Sequence, residues 1–180
     1  MKELVHGAEK FTNFTLANAE QLASSAHEGQ IDKEGEPYKL HPLRVMKALE
    51  SYGPAAQMAG VLHDVVEDTD ITPEDLVLLG VPKEVVGAIS SVTKQAGEAY
   101  ADALKRAKNN QLGSLVKIAD NRDNSISKRL AKLPKEERNR LTAKYAKAIM
   151  QLTEGDEWLA GQVQPIQERI EELYKIDQNR

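Results

Sequence analysis

The stretch Ala55-Ala56-Gln57-Met58-Ala59-Gly60-Val61-Leu62-His63-Asp64-Val65-Val66-Glu67-Asp68 decides how this chain is read. Ala55 to Val66 is apolar around most of a helix's circumference, which predicts a helix buried in a core. Such a helix should not end in a His-Asp pair with two more acids one turn later, because ionisable groups buried without partners are costly. A metal ion would supply the compensation. Imidazole nitrogen and carboxylate oxygen together suit a borderline or hard divalent ion, leaving open positions for water and phosphate. Glu67 lies four residues after His63, and Asp68 four after Asp64. On a continuing helix both carboxylates return toward the metal-side face, where they can orient water or protonate a leaving oxygen.

The rest of the chain also favours helix. Ala, Leu, Glu, Lys and Gln abound and aromatics make up 4%. Apolar residues from Phe14 to Ala26 recur at helical spacing, with Thr12 or Asn13 as the cap. Asp32 to Pro42 reads as a loop, and Pro42 to Ser51 as the second helix. Thr72-Pro73-Glu74-Asp75 is a helix start with Thr72 as cap, and Gly80 closes that helix. Further helices are predicted over Lys83–Lys94, Gly97–Lys108, Leu112–Ile126, Pro134–Thr153 and Asp156–Ile176. Val116-Lys117-Ile118 could pass for a strand, but no strand-like partner stands near it. The expectation is one all-α domain over residues 1–180, a bundle of about eight to ten helices. The last helix carries Trp158, Leu159, Val163, Ile166, Ile170, Leu173 and Tyr174 on one face, which should pack on the domain.

Composition narrows the chemistry. The chain has 180 residues, no cysteine and a net charge of −4. Disulfides and thiolate sites are excluded, so any metal must use His, Asp or Glu. The mixed, mildly acidic charge gives no footprint for nucleic acid or an anionic membrane. No run is long and apolar enough to span a bilayer, and MKELVHGAEK lacks a signal-peptide core, so a cytoplasmic setting is expected. Homo-oligomer formation stays open.

Taken singly, each candidate has a commonplace reading. A lone buried histidine is usually a hydrogen-bonded core residue, an acidic run after a helix is usually solvated, and Asp120 could be a cap. Several such features in one small domain ask for a common cause.

The motifs supply one. Ala26-His27-Glu28-Gly29-Gln30, Gly35-Glu36-Pro37-Tyr38-Lys39-Leu40-His41-Pro42-Leu43-Arg44-Val45, Leu62-His63-Asp64-Val65-Val66-Glu67-Asp68-Thr69, Val92-Thr93-Lys94 and Val116-Lys117-Ile118-Ala119-Asp120 with Asn124 stand in order. In these motifs the chain resembles the HD-domain phosphohydrolases of the RelA/SpoT type, especially the stand-alone small alarmone (ppGpp) hydrolases, over about residues 15 to 150. The resemblance implies an HD-domain helical bundle. It implies four metal ligands, His41, His63, Asp64 and Asp120, with manganese as the ion. It places the catalytic carboxylates on Glu67 and Asp68, and substrate contacts on Lys33, Asn124, Ser127 and Tyr145. His27 is expected to support the site without binding metal. The implied reaction removes the 3′-pyrophosphate of guanosine tetra- or pentaphosphate, giving GDP or GTP and pyrophosphate. With no room in 180 residues for a synthetase domain, a hydrolase alone is expected.

Two departures stand out. Asp32-Lys33 replaces a pair of basic residues, and Asp120-Asn121-Arg122-Asp123-Asn124 replaces Asp-Arg-Leu-His-Asn. Asp32 and Asp123 therefore suggest an alternative, an HD phosphohydrolase for another phosphorylated nucleotide. Arg122, Lys117, Lys128 or Arg129 are candidates to replace the missing phosphate contact. A catalytically silent nucleotide-binding protein is the third reading.

Overall fold

The computed structural model describes residues 13–32, 35–126 and 130–178. The described residues form ten α-helices: α1 (Leu16–Ala26), α2 (Leu40–Ala48), α3 (Pro54–Leu62), α4 (Val65–Asp68), α5 (Pro73–Leu79), α6 (Lys83–Val92), α7 (Tyr100–Lys108), α8 (Gln111–Asn124), α9 (Lys135–Thr153) and α10 (Glu157–Gln178). A 3-10 turn, Glu50–Tyr52, follows α2. Among the described residues no strand forms, and only an isolated bridge pairs Ile31 with Pro37. The fold is thus the expected all-α bundle, and Val116 to Ile118 lie inside α8.

Helix α3 is the hub. It packs against α1, α2, α6 and α8. Six of its nine residues, Ala56, Met58, Ala59, Gly60, Val61 and Leu62, are buried. Gly60 permits the approach to α2. A Cβ there would lie 3.0 Å from Leu49 Cδ1 and 3.2 Å from Met46 Cα. The absent side chain lets α2 and α3 approach; α2 carries His41, and His63 follows the last residue of α3. The last helix, α10, packs on α2 and α8. Leu159, Ile166, Ile170, Leu173 and Tyr174 are buried, whereas Trp158 stays exposed.

Several boundaries differ from the expected ones. The cap of α1 is Thr15, not Thr12 or Asn13. Its hydroxyl accepts from the Asn18 N–H, and Asn18 Oδ1 accepts from the Thr15 N–H in return. Thr12 lies outside the described residues. The Thr72 cap holds as expected, with Asp75 completing the box and Gly80 left-handed at the end. Helix α6 stops at Val92, short of Lys94. Arg106 fixes the loop that follows by donating to the carbonyls of Ser90 and Thr93 and to Glu98.

The predicted Ala55–Val66 helix is not continuous. It ends at Leu62, turns through His63 and Asp64, and resumes as α4. The Gly60 carbonyl, which a continuing helix would offer to the Asp64 N–H, accepts the His63 ring N–H at 2.8 Å.

Candidate metal centre and cleft

Three segments bring the cluster together. His41 comes from the first turn of α2, His63 and Asp64 from the break after α3, and Asp120 from α8. Both histidines are buried, His63 at 2% exposure. Each ring is pinned through Nδ1. His41 Nδ1 lies 2.7 Å from Asp123 Oδ2, and the carboxylate can only accept, so Nδ1 carries the hydrogen. His63 Nδ1 donates to the Gly60 carbonyl. Nε2 of each ring is therefore turned toward the same two carboxylates, and offers its lone pair to an ion when the ring is neutral. His41 Nε2 is 3.4 Å from Asp120 Oδ1 and 3.6 Å from Asp64 Oδ2. His63 Nε2 is 3.1 Å from Asp64 Oδ2 and 3.9 Å from Asp120 Oδ1.

The donor set fits a divalent cation. His63 Nε2 is buried and makes no hydrogen bond. Donor atoms of His41, His63 and Asp120 all lie within 4.8 Å of one another. Ligand atoms about 2.0–2.2 Å from one shared ion sit at most about 4.4 Å apart, a range that holds every imidazole–carboxylate distance here, 3.1 to 3.9 Å. Second contacts that fix the ring tautomer are typical of metal-binding histidines.

Electrostatics reinforce the cluster. Burial lowers the affinity of His41 for a proton, but Asp120, Asp123 and Asp64 outweigh it and lift its pKa to about 9. Burial also opposes ionisation of Asp120. Lys117, whose Nζ lies 2.7 Å from Asp120 Oδ2, and the two imidazoles overcome it and hold the carboxyl well below its usual range. The same pair works in reverse on Lys117: burial favours its neutral form, but Asp120 wins and raises its pKa.

His63 is buried against Asp64, and His41, Asp64 and Asp120 of the cluster line a cleft of about 600 Å³. Glu67 and Asp68 line it, each held by a contact that sequence spacing does not reveal. Glu67 Oε2 accepts the Lys94 N–H at 2.9 Å. Asp68 Oδ2 accepts from the Tyr38 hydroxyl at 3.0 Å, and Tyr38 also reaches Asp64 Oδ2 at 2.6 Å. His27 lies behind Tyr38, with ring centroids 5.0 Å apart. Its Nδ1 meets Gln30 Oε1 at 2.8 Å, and Gln30 Nε2 donates to the Asp68 carbonyl. His27 thus stands outside the cluster and against Tyr38 and Gln30.

Of the four expected substrate contacts, Asn124 and Tyr145 line the cleft. Lys33 and Ser127 lie outside the described residues, as do Lys128 and Arg129. Sequence reasoning did not single out Tyr38, Lys94, Tyr100 or Lys144, which also line it. Tyr38 and Lys94 stood inside quoted motifs, but their partners are 26 and 27 residues away. Lys144 reaches the cleft from α9, with its Nζ 4.6 Å from the Tyr100 ring centroid.

Two readings of the 120–124 run are corrected. Asp123 is wholly buried and grips His41 and Arg44, so it is absent from the cleft wall and cannot select a base directly. Arg122 does not replace a phosphate contact. It lines a separate cleft of about 270 Å³ between α8 and α10. Successive residues of a helix point about 100° apart, so Arg122 and Asp123 leave α8 in different directions. Lys117 does line the active cleft.

No family model matches the chain. It is 36% identical over 133 residues to a Mycoplasma genitalium protein named probable guanosine-3′,5′-bis(diphosphate) 3′-pyrophosphohydrolase, covering 70% of this chain and 18% of that protein. It is 35% identical over 88 residues to the Borreliella burgdorferi guanosine-3′,5′-bis(diphosphate) 3′-pyrophosphohydrolase, covering 48% of this chain and 13% of that protein. It is 49% identical over 63 residues to a Streptomyces coelicolor GTP pyrophosphokinase, covering 34% and 7%. The chain spans less than a fifth of the length of these curated relatives. Among solved structures, one described as a metazoan ortholog of SpoT that hydrolyzes ppGpp matches with a TM-score of 0.67 at 23% identity, covering 94% of this chain and 98% of that one. The chain therefore shares the fold of a SpoT-type HD domain along nearly its whole length. The resemblance to the RelA/SpoT-type hydrolases also extends well beyond the short motifs.

Proposed function

We propose that this chain is a metal-dependent phosphohydrolase that removes the 3′-pyrophosphate of guanosine 3′,5′-bis(diphosphate) and its 5′-triphosphate counterpart, releasing GDP or GTP and pyrophosphate. One observation carries the reading. Two imidazoles, each anchored through Nδ1, turn Nε2 to the Asp64 and Asp120 carboxylates, which with His41 line a cleft that also holds Lys94, Lys117 and Lys144. Similarity to curated relatives that bear this activity in their names supports the choice of nucleotide.

In this reading His41, His63, Asp64 and Asp120 hold the ion, manganese by resemblance. A divalent ion there supplies Lewis-acid polarisation of a phosphoryl oxygen and activates water at neutral pH. The chain's own residues do the rest. Glu67 and Asp68, one turn beyond the ligands and open to solvent, take the proton from the attacking water and return one to the ribose 3′-oxygen as the P–O bond breaks. Tyr38 keeps Asp68 beside Asp64 so that the proton carrier faces the reacting phosphorus. Lys94, Lys117 and Lys144 offer point charges to the phosphates, and Tyr145 and Tyr100 offer rings to the base. Asn124 contacts the nucleotide from α8. Lys33 and Ser127 enter through resemblance alone.

The test is turnover of a nucleotide panel by purified protein with Mn²⁺, with products resolved by anion exchange. Release of pyrophosphate from the 3′-pyrophosphorylated guanosines alone is expected. Turnover of a different phosphorylated nucleotide, with these untouched, would overturn the substrate and keep the metal chemistry.

A further inference from the structure

Asp123, Arg44, Tyr174 and Asp177 line no part of the active cleft, yet they form one continuous set of contacts that ends on His41. We propose that the last helix positions His41 through this buried relay, so that α10 helps set the affinity of the metal centre. The proposal rests on His41 being a metal ligand.

The contacts run as follows. His41 Nδ1 donates to Asp123 Oδ2 at 2.7 Å. Arg44 meets the same carboxylate with a fork: Nε donates to Oδ1 at 2.6 Å and Nη2 to Oδ2 at 3.0 Å. Two parallel bonds fix the plane of a carboxylate, where a single bond would leave it free to rotate. Since Asp123 is wholly buried, water cannot take the place of the guanidinium. Arg44 is itself held from α10. Asp177 Oδ2 accepts from Nη1 at 3.4 Å, and the guanidinium carbon lies 5.3 Å from the Tyr174 ring centroid. Asp177 is 133 residues from Arg44 in sequence. The direction of the His41 lone pair therefore depends on a helix that contributes no ligand. A carboxylate behind a metal-binding histidine orients the ring. Here that carboxylate needs an orienting partner of its own, and α10 supplies its anchor.

The test is Mn²⁺ titration by calorimetry on the full chain, well below the melting temperature. Arg44→Met is expected to weaken Mn²⁺ binding by about 10–100-fold. Arg44→Lys should rescue only part of this, because one ammonium cannot replace the fork. Asp177→Asn, at the half-buried end, should weaken binding by roughly a few-fold on the same scale. Leu152→Ala, a core truncation in α9, should lower the melting temperature and leave Mn²⁺ affinity unchanged. Wild-type affinity in Arg44→Met, or equal weakening in Leu152→Ala, overturns the relay. Should Arg44→Met not fold, unchanged affinity in both Asp177→Asn and Tyr174→Leu overturns it as well. A wild-type chain that takes up Mn²⁺ and loses it in His63→Ala keeps the metal reading separate from these outcomes. A wild-type chain that takes up none overturns both.

Discussion

Substituting Gly60 by alanine tests the link between helix packing and the metal centre without touching a ligand. In an exposed helix this change would stabilise by about 1 kcal/mol, since alanine is the better helix former. At Gly60 the added Cβ would lie 3.0 Å from Leu49 Cδ1, 3.2 Å from Met46 Cα and 3.3 Å from Met46 N. Comfortable carbon–carbon contact begins at roughly 3.5 Å. The leucine methyl can yield by rotation, but the Met46 backbone can yield only if α2 moves. Overpacking of this kind costs about 1–3 kcal/mol. The net expectation is a loss of up to about 2 kcal/mol, and at roughly 2–4 °C per kcal/mol for a chain of this size the melting temperature falls by up to about 8 °C. His41 rides on α2, and His63 follows α3 and bonds the Gly60 carbonyl. Displacing one helix from the other therefore spreads the donor atoms, and Mn²⁺ affinity should fall too. Calorimetric melting and Mn²⁺ titration measure both. A higher melting temperature with unchanged affinity would refute the reasoning.

Glu67→Gln should keep Mn²⁺ affinity and lower turnover by about 10²–10⁴-fold, as loss of a proton carrier does; loss of bound metal would make Glu67 a ligand. Asp120→Ala should abolish tight Mn²⁺ binding and, by stranding buried Lys117, destabilise the fold by about 3–5 kcal/mol. Adding Lys117→Met should recover much of that stability with metal binding still lost, which melting curves of the single and double variants decide. Chelation should lower the melting temperature, since metal at 100 times its Kd contributes about 2.7 kcal/mol; an unchanged curve in EDTA argues against the site. Equilibrium dialysis should show nucleotide retained with Mn²⁺ and released without it.

His63 and Asp64 were legible because a histidine and a carboxylate break an otherwise apolar helix, and that conflict is local. So were the Thr72 cap and the Gly80 stop, whose partners lie within the same turn. The break after Leu62 was hidden, since periodicity does not register that a ring N–H captures the Gly60 carbonyl. Tyr38 was hidden as a support because Asp64 and Asp68 are brought to it only by tertiary packing. Asp123 was misread for the same reason. In a run of five polar residues nothing distinguishes the one that faces His41 from Arg122, which faces α10. Burial of α8 between α2 and α10 makes that distinction.

The polar cluster is also a poor way to stabilise a bundle. Buried ion pairs such as Asp120 with Lys117 and Asp123 with Arg44 recover little beyond the cost of desolvating them. What they provide is direction: Lys117 bonds Asp120 itself, and Arg44 holds the Asp123 carboxylate that fixes the His41 ring. Charge explains the remaining arrangement. Among the described residues the cleft wall carries four carboxylates, Asp64, Glu67, Asp68 and Asp120, against three lysines, Lys94, Lys117 and Lys144. With the imidazoles neutral, as ligands of an ion, these side chains sum to one net negative charge. A divalent ion reverses the sign. A bound ion would thus add its charge to that of the lysines at the wall, and both attract a polyphosphate.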